Sequence, residues 1–356
     1  MSLPHIDDLI GELPSLQLEN TLTPSEIGCL PLRLQSNAFL LTALTQCRYL
    51  IHTWKALKEV CPTYKKSSSK SYTSLHTLSS ISRTSDRTDS TFCIGVIGCG
   101  RIGSHLVRKL LQDPNITPDM IRLSTRQPDH LQEFESQGVT CRFDNIWLAN
   151  NSDVIIICCL PSQIAPVLLD LSKSSISNTT LLVSILAGVG VNRIRRALND
   201  RTNVMRVYFD WSHLSLEDRG VMSIDSYGVS NRMSRHKLAL ANCPFKTDTG
   251  CWFGEFVVSC IAYCLNQLIV ASEIGNLVCN LIADESVDVN DLLPDVKFDK
   301  KFISKFLEKE GEMTKLGSVL EKKEMRDLLV EKYWQRVREV EPSLLDIAKT
   351  QTPTKL

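Results

Sequence analysis

The chain has 356 residues, a hydrophobic fraction of 43%, and 40 basic against 40 acidic side chains. That length and apolar content supply a sizeable core and predict two domains, while a net charge of zero gives no electrostatic reason to expect nucleic acid or an anionic membrane surface as partner. The first residues, Met-Ser-Leu-Pro-His-Ile-Asp-Asp, are acidic and lack both the apolar stretch of a secretory signal and the Arg-rich character of a transit peptide, so a cytoplasmic location is expected.

Residues 23–60 read as helix, in an N-terminal helical extension over 1–63. Thr23-Pro24-Ser25-Glu26 offers start signals, and Phe39, Leu40, Leu44, Tyr49, Leu50, Trp54 and Leu57 recur at helical spacing. The stripe predicts packing on the main body or on a partner subunit, and no chemistry. Residues 64–91 are dominated by Ser, Thr and Lys and read as a flexible linker.

Residues 92–210 alternate strands and helices. Cys93–Ile97 is a short apolar strand. Gly98, Gly100 and Gly103 follow with dinucleotide-turn spacing, and Ser104–Gln112 reads as a helix with Leu106, Val107, Leu110 and Leu111 on one face. In such a turn the first glycine bends the chain out of the strand. The second leaves room for a pyrophosphate, the third lets the helix approach the sheet, and the helix N-terminus faces the phosphates. Further strands are expected at Met120–Thr125, Gly138–Phe143, Asp153–Cys159, Thr180–Leu186 and Val204–Phe209. Helices are expected at 129–136, from Pro161 to Leu171, and from Val191 to Leu198. This rhythm predicts an α/β, Rossmann-type doubly wound parallel sheet.

Residues 211–249 read as an irregular connection with strand-like pieces such as Gly220–Ile224. An α-helical domain over 250–347 and a tail over 348–356 complete the chain. Trp252–Ile282 reads as one long apolar helix. Phe256–Ser272 is uncharged, but Asn266 and Gln267 interrupt it and Glu255 and Glu273 flank it. The run is short for a bilayer core of about 30 Å, so no membrane span is expected. A buried helix, with a homodimer contact through 252–282 as an open option, is the expectation. Residues 296–347 read as charged amphipathic helix.

Thirteen cysteines are scattered without metal spacing, and Cys93, Cys158, Cys159, Cys260 and Cys264 sit inside apolar runs. They are expected to be small buried hydrophobes in a reducing compartment, with no metal site. The glycosylation-like triplets at Asn115, Asn150 and Asn178 carry no weight there.

A site preferring NAD usually ends its second strand with an acid for the ribose hydroxyls. Here that strand ends Ser124-Thr125-Arg126, with no carboxylate before Asp129. An arginine beside two hydroxyls suits a 2′-phosphate, so the expected cofactor is NADP(H). Arg126 lies further from Gly98 than the usual interval of about 20 residues, and the two-proline insert at 113–119 accounts for the excess.

Taken together, Gly98-Cys99-Gly100-Arg101-Ile102-Gly103, Ser124-Thr125-Arg126, the strand leading to Leu160-Pro161 with Gln163, and Ser184-Ile-Leu-Ala187-Gly188 resemble the pyrroline-5-carboxylate reductase family over residues 92–207. The resemblance implies a Rossmann domain followed by an α-helical dimerisation domain. It implies hydride transfer from NADPH to the C=N bond of a small cyclic imine, in the setting of proline metabolism. By it, Gly98 to Gly103 would hold the pyrophosphate. Ser124, Thr125 and Arg126 would hold the 2′-phosphate, and Leu160, Pro161, Gln163, Ala187 and Gly188 would line the ribose and nicotinamide end. Two family elements are missing. Tyr208-Phe-Asp-Trp-Ser212 replaces a Met-Pro-Asn-Thr-Pro-like stretch, and no Ser-Gly-Ser-Gly-Pro-like loop is present, Thr249–Gly254 being the nearest stretch. Catalytic residues are therefore left unassigned, with Tyr208, Asp210 and His213 as candidate proton donors near the nicotinamide edge. The expected function is an NADPH-dependent reductase acting on an unidentified small molecule. The alternative is a catalytically inactive NADP-binding sensor or interaction module, and a weaker third reading is a metal or flavin reductase.

Overall fold

The structure is a computed structural model that describes residues 23–69, 91–127, 131–199, 201, 203–210, 242–245, 250–283, 287–293, 296–308, 316 and 318–338. Trp211–Ser212, His213, Gly220–Ile224, Thr249 and the 348–356 tail lie outside the described residues, as does the linker beyond Ser69 up to residue 90. The chain divides into two compact units. One comprises Met1–Gln46, Tyr208–Cys243 and Val337–Leu356, and the other Cys47–Val207 and Pro244–Arg336.

In the first unit, the Gln46 side chain pairs with backbone. Its Nε2 donates to the carbonyls of Tyr208 at 2.8 Å and Asn242 at 3.1 Å, and its Oε1 accepts the Tyr208 N–H at 2.8 Å. Phe39 meets Phe209 edge-on with ring centroids 5.5 Å apart.

The second unit is built on a six-stranded parallel sheet: β1 (Ile94–Ile97), β2 (Ile121–Ser124), β3 (Thr140–Arg142), β4 (Val154–Ile157), β5 (Leu181–Ser184) and β6 (Val204–Arg206), in the order β3-β2-β1-β4-β5-β6. This is the doubly wound order expected. The strands are shorter than the apolar runs that predicted them, because the run ends turn into loops at the sheet edges. β1, β4 and β5 are buried at every position, as parallel strands covered on both faces must be.

Each face has its own cover. On one, Ile155, Ile157 and Leu182 pack with α4 (Asn145–Asn150), α5 (Ile164–Lys173) and α6 (Val191–Ala197) through Leu148, Leu168 and Ile194. Helix α4 was not expected. It is six residues long and amphipathic over barely two turns, but Asp144 caps it by accepting the Trp147 N–H at 2.7 Å. Helix α3 (Gln132–Glu135) follows β2.

On the other face lie α2 (Arg101–Leu111), which buries Leu106, Val107 and Leu110, and part of α1 (Pro24–Ser69). From Tyr49 to Leu57 the N-terminal stripe thus packs within the second unit, and the helix continues six residues into the expected linker. Cys47 lies close enough to Cys158, just past β4, for charge on one to raise the thiol pKa of the other. Trp54 Nε1 donates to Thr179 O at 2.8 Å, and Lys58 pairs with Asp153 at 2.9 Å, both residues lying just before strands. These anchors run α1 antiparallel to β4. One flank of α1 meets α7 (Gly250–Asn266), with Tyr49 5.8 Å from Phe256 and Trp54 5.2 Å from Tyr263. Its other flank holds Asp113, at the end of α2, through Arg48 at 3.3 Å and His52 at 2.7 Å.

The expected single helix over 252–282 is two, α7 and α8 (Ala271–Ile282). They part at a turn where Leu268 takes φ 61° and the Ile269 N–H bonds back to Cys264 O at 3.1 Å. That is a Schellman-type stop, made here without glycine, and so invisible to a rule that looks for glycine. No helix among the described residues is long and apolar enough to cross a membrane. Beyond α8 come α9 (Val289–Leu292), α10 (Lys300–Glu308) and α11 (Lys323–Arg338), where one longer amphipathic segment was expected. The outer edge of β6 is closed by side chains. Arg195 Nη2 donates to Val204 O at 3.0 Å and Trp252 Nε1 to Arg206 O at 2.9 Å, so the strand offers no free template there.

Burial alone raises the Asp113 carboxyl. Hydrogen bonds from His52 and the Asn115 N–H, with the charges of His52 and Arg48, more than offset this and hold it below its ordinary value. A group depressed in the folded state stabilises above its unfolded value of about 4, and that stabilisation is lost as pH falls through the folded value. Asp113→Asn should therefore lower unfolding stability at pH 7 by about 3 kcal/mol, since the buried Arg48 guanidinium loses its carboxylate. It should also flatten the decline below about pH 4, as read by urea unfolding across pH.

Candidate functional site

In a parallel sheet all carboxyl ends share one edge. The pairings Ile97↔Ser124, Ile97↔Ile157 and Ile157↔Ser184 hold the ends of β2, β1, β4 and β5 level. The expected cofactor-binding residues lie at these strand ends and in the segments that follow them. The strand order reverses between β1 and β4, and a crevice opens at such a switch point.

The glycine turn sits at that crevice, and its three glycines have separate physical reasons. Gly98 takes φ 90°, and a Cβ there would come 2.8 Å from the Cys159 nitrogen. Its N–H donates to Ser124 O at 2.8 Å, tying the corner to β2. At Gly103 a Cβ would lie 2.2 Å from the Gly98 carbonyl oxygen, so helix α2 rests directly on the turn. Gly100 is different. It has an ordinary φ of −78°, it is the N-cap of α2, and a Cβ there would meet nothing within 4 Å. Neither backbone nor packing among the described residues requires glycine at this position.

The first N–H groups of α2 have no acceptor within the helix, and the helix dipole adds partial positive charge beside Gly100. Arg101 and Ile102 occupy the first turn, Arg101 exposed. Cys99 lies within the turn, its Sγ 3.5 Å from Ser104 Oγ, while Ser104 Oγ donates to Cys99 O at 3.2 Å. Burial raises the thiol pKa values of Cys99, Cys158 and Cys159. These thiols are therefore neutral at physiological pH, and no thiolate opposes an anion at the corner. The cysteines among the described residues are free, and none of their His, Cys, Asp and Glu side chains are grouped to hold a metal ion.

At the end of β2 the three expected residues separate. Ser124 is buried, and its hydroxyl donates to Asn145 Oδ1 at 2.7 Å, with Asn145 Nδ2 passing the chain on to Asp170 at 2.9 Å. A hydroxyl has one proton, and this one is spent inside the sheet. A hold by Ser124 on a 2′-phosphate would have to displace this bond. Thr125 is half-buried, its N–H donating to Arg142 O at 3.0 Å, and Arg126 is exposed at the rim.

After β4, Leu160 and Pro161 are exposed and open a short 3₁₀ turn, Pro161–Gln163. After β5, Ala187 and Gly188 are exposed. Gly188 takes φ 73°, and a Cβ on it or on Gly190 would meet nothing within 4 Å. The rim is thus open and low on both sides of the switch point.

Tyr208 and Asp210 fall in the first unit, and His213 lies outside the described residues. The Asp210 N–H donates to Asn242 Oδ1. Glu255 was read only as a flank of an apolar run. In the structure it is a nearly buried acid 3.6 Å from Arg195. Burial raises its pKa, against the charges of Arg195 and Arg206. A lone glutamate in an apolar segment was the available sequence signal. Phe143, just past β3, leaves 67% of its surface exposed on the same rim.

Residues 93–188 match the family model described as NADP oxidoreductase, coenzyme F420-dependent. The chain is 25% identical over 199 residues to the NADP-dependent oxidoreductase domain-containing protein 1 of Mus musculus, a match covering 54% of this chain and 53% of the mouse protein. It is 32% identical over 115 residues to the pyrroline-5-carboxylate reductase of Methanosarcina acetivorans, covering 32% of this chain and 42% of that enzyme. The chain thus spans about half the length of the curated relatives it matches. Among solved structures, a pyrroline-5-carboxylate reductase from Coxiella burnetii aligns over 72% of this chain and 99% of its own, at 20% identity and a TM-score of 0.30. The 3-2-1-4-5-6 sheet and the glycine corner thus belong to a nucleotide domain that is similar, over residues 93–188, to NADP oxidoreductases.

Proposed function

We propose that the chain binds NADP(H) at the glycine corner and acts as a reductase of the C=N or similar bond of a small substrate. The observation that carries this is Gly100. The described residues account for Gly98 and Gly103 by crowding, but none of them comes within 4 Å of where a Gly100 side chain would stand. A backbone bared at a helix N-terminus beside neutral thiols fits a pyrophosphate. Gly98 to Gly103 would hold that group through backbone N–H donors, Arg101 adding charge from the exposed first turn. Arg126 would meet the 2′-phosphate, with Thr125 beside it. Leu160, Pro161, Gln163, Ala187 and Gly188 would border the ribose and nicotinamide end. When bound, NADPH supplies the hydride, and the chain's own part is to orient it against the substrate and to shield the site from water. The names of the relatives support this reading for the nucleotide half. Substrate, turnover and any role in proline metabolism rest on the proposal.

Gly100→Val should weaken NADPH and NADH binding alike, since both share the pyrophosphate, and should leave the melting temperature unchanged. Gly103→Ala should instead destabilise by about 1–3 kcal/mol through overpacking, seen as a lower melting temperature without ligand. Arg126→Ala should cost roughly 1–3 kcal/mol of NADPH affinity and little for NADH, from one charge-assisted contact. Equal loss for the two cofactors would remove the 2′-phosphate assignment. Turnover is read by NADPH oxidation over a panel of cyclic imines. Tight binding without turnover selects the alternative, an NADP-binding sensor.

A further inference from the structure

A phosphate monoester carries about two negative charges at neutral pH, whereas the end of β2 offers one arginine now that Ser124 is committed inward. The neighbouring strand supplies another. Arg142 closes β3 as the Cα partner of Ser124, and its carbonyl accepts the Thr125 N–H at 3.0 Å. Being opposite Ser124 in a parallel ladder, its side chain leaves the sheet on the same face as that of Ser124, beside α4. There its guanidinium carbon lies 4.1 Å from the centre of the Trp147 ring. The Trp147 backbone N–H donates to Asp144 at the cap of α4, and its side chain packs against the core on this face of the sheet. A guanidinium stacked on an indole keeps its N–H donors in its own plane, at the ring's rim, where they remain available to an anion.

A second cation near Trp147 behaves otherwise. Arg122 lies 5.8 Å from the ring centre, and its Nη1 donates to the carbonyl of Asn151. It serves the fold, whereas Arg142 is exposed at the carboxyl edge one strand from Arg126. The acids nearest in the chain are occupied or turned to other work. Asp144 is the cap of α4, and Asp170 accepts from Asn145. Glu135, on α3, acts on the Cys141 thiol, which burial first, and then this charge, pushes up to about 12.

We infer that Arg142, held on Trp147, is a second 2′-phosphate cation and with Arg126 sets the preference for NADP over NAD. This rests on the function proposed above and adds to it a specificity residue from β3. It places the phosphate in the notch between the ends of β2 and β3, with one guanidinium from each strand. Arg142 acts on binding only and has no part in hydride transfer.

The experiment measures dissociation constants for NADPH and NADH, by cofactor fluorescence on the full chain, for the parent protein, Arg142→Ala and Arg142→Met. The methionine keeps apolar cover over Trp147 while removing the charge, so it separates lost charge from lost packing. Both variants should weaken NADPH by about tenfold to a hundredfold, as expected for one charge-assisted contact, and leave NADH within about twofold. The ratio of the two constants should become less sensitive to salt. A parent protein that prefers NADPH, with variants that keep that preference or lose both cofactors equally, overturns the inference and leaves the proposed function standing. A parent protein that binds neither cofactor overturns both.

Discussion

The structure depends on one close approach, the Cα of Gly103 against the carbonyl of Gly98. A side chain at residue 103 would stand 2.2 Å from that oxygen, so helix α2 can begin where it does only over a bare backbone. That contact points the helix axis at the gap between β1 and β4. It also sets the unpaired N–H groups and partial positive charge of the helix start at the sheet's switch point. Gly98 turns the chain there, and Gly100 adds no side chain in front of those donors. Shift the helix outward by the width of a methyl group and the donors no longer converge on one place.

The long N-terminal helix supports this corner from behind. One face of the sheet is covered by α4, α5 and α6, which the chain supplies between its strands. The other receives only α2 from that region, and a parallel sheet cannot leave half of one face in water. Helix α1 fills the space between α2 and α7, placing Cys47, Leu50, Trp54 and Leu57 in the core. Its side chains meet Asp113 at the end of α2, and Asp153 and Thr179 just ahead of β4 and β5. These pairings fix its register along the sheet in a way that apolar contact, which is nondirectional, does not. Lys58 and the Cys93 N–H share Asp153, so helix and first strand are tied to one carboxylate.

Within the site, the nucleotide side is the better built. The glycine corner, the neutral thiols and the arginines at the ends of β2 and β3 belong to one rigid ladder whose registers are fixed by hydrogen bonds. The other side is lined by exposed backbone at Leu160–Pro161 and Ala187–Gly188, low walls that leave a substrate's identity to groups beyond them. The sequence shows the same asymmetry. Its resemblance to the reductase family is dense up to β6 and thins where Tyr208-Phe-Asp-Trp-Ser212 begins.

Much of this was written in short-range terms, and those parts were legible in the chain itself. Strands buried on both faces must be continuously apolar, so Val154–Ile157 and Leu181–Ser184 declare themselves. A glycine triplet between such a strand and an amphipathic helix has few other uses. The missing acid at the end of β2 likewise needed only local reading. What escaped was decided by partners remote in sequence. The Ser124 hydroxyl donates a hydrogen bond to Asn145, which no local pattern announces. Arg142 carried no signal of its own in the sequence, and it meets Ser124 and Trp147 only because β3 lies beside β2. The stop at Leu268 had no glycine to announce it, and α4 was too short for its periodicity to stand out. Sequence by itself determined which segments are strands, which helices, and where the chain bares its backbone. Only the tertiary structure decided which side chains face the rim and which are consumed within, because a donor's availability depends on acceptors that folding alone brings near.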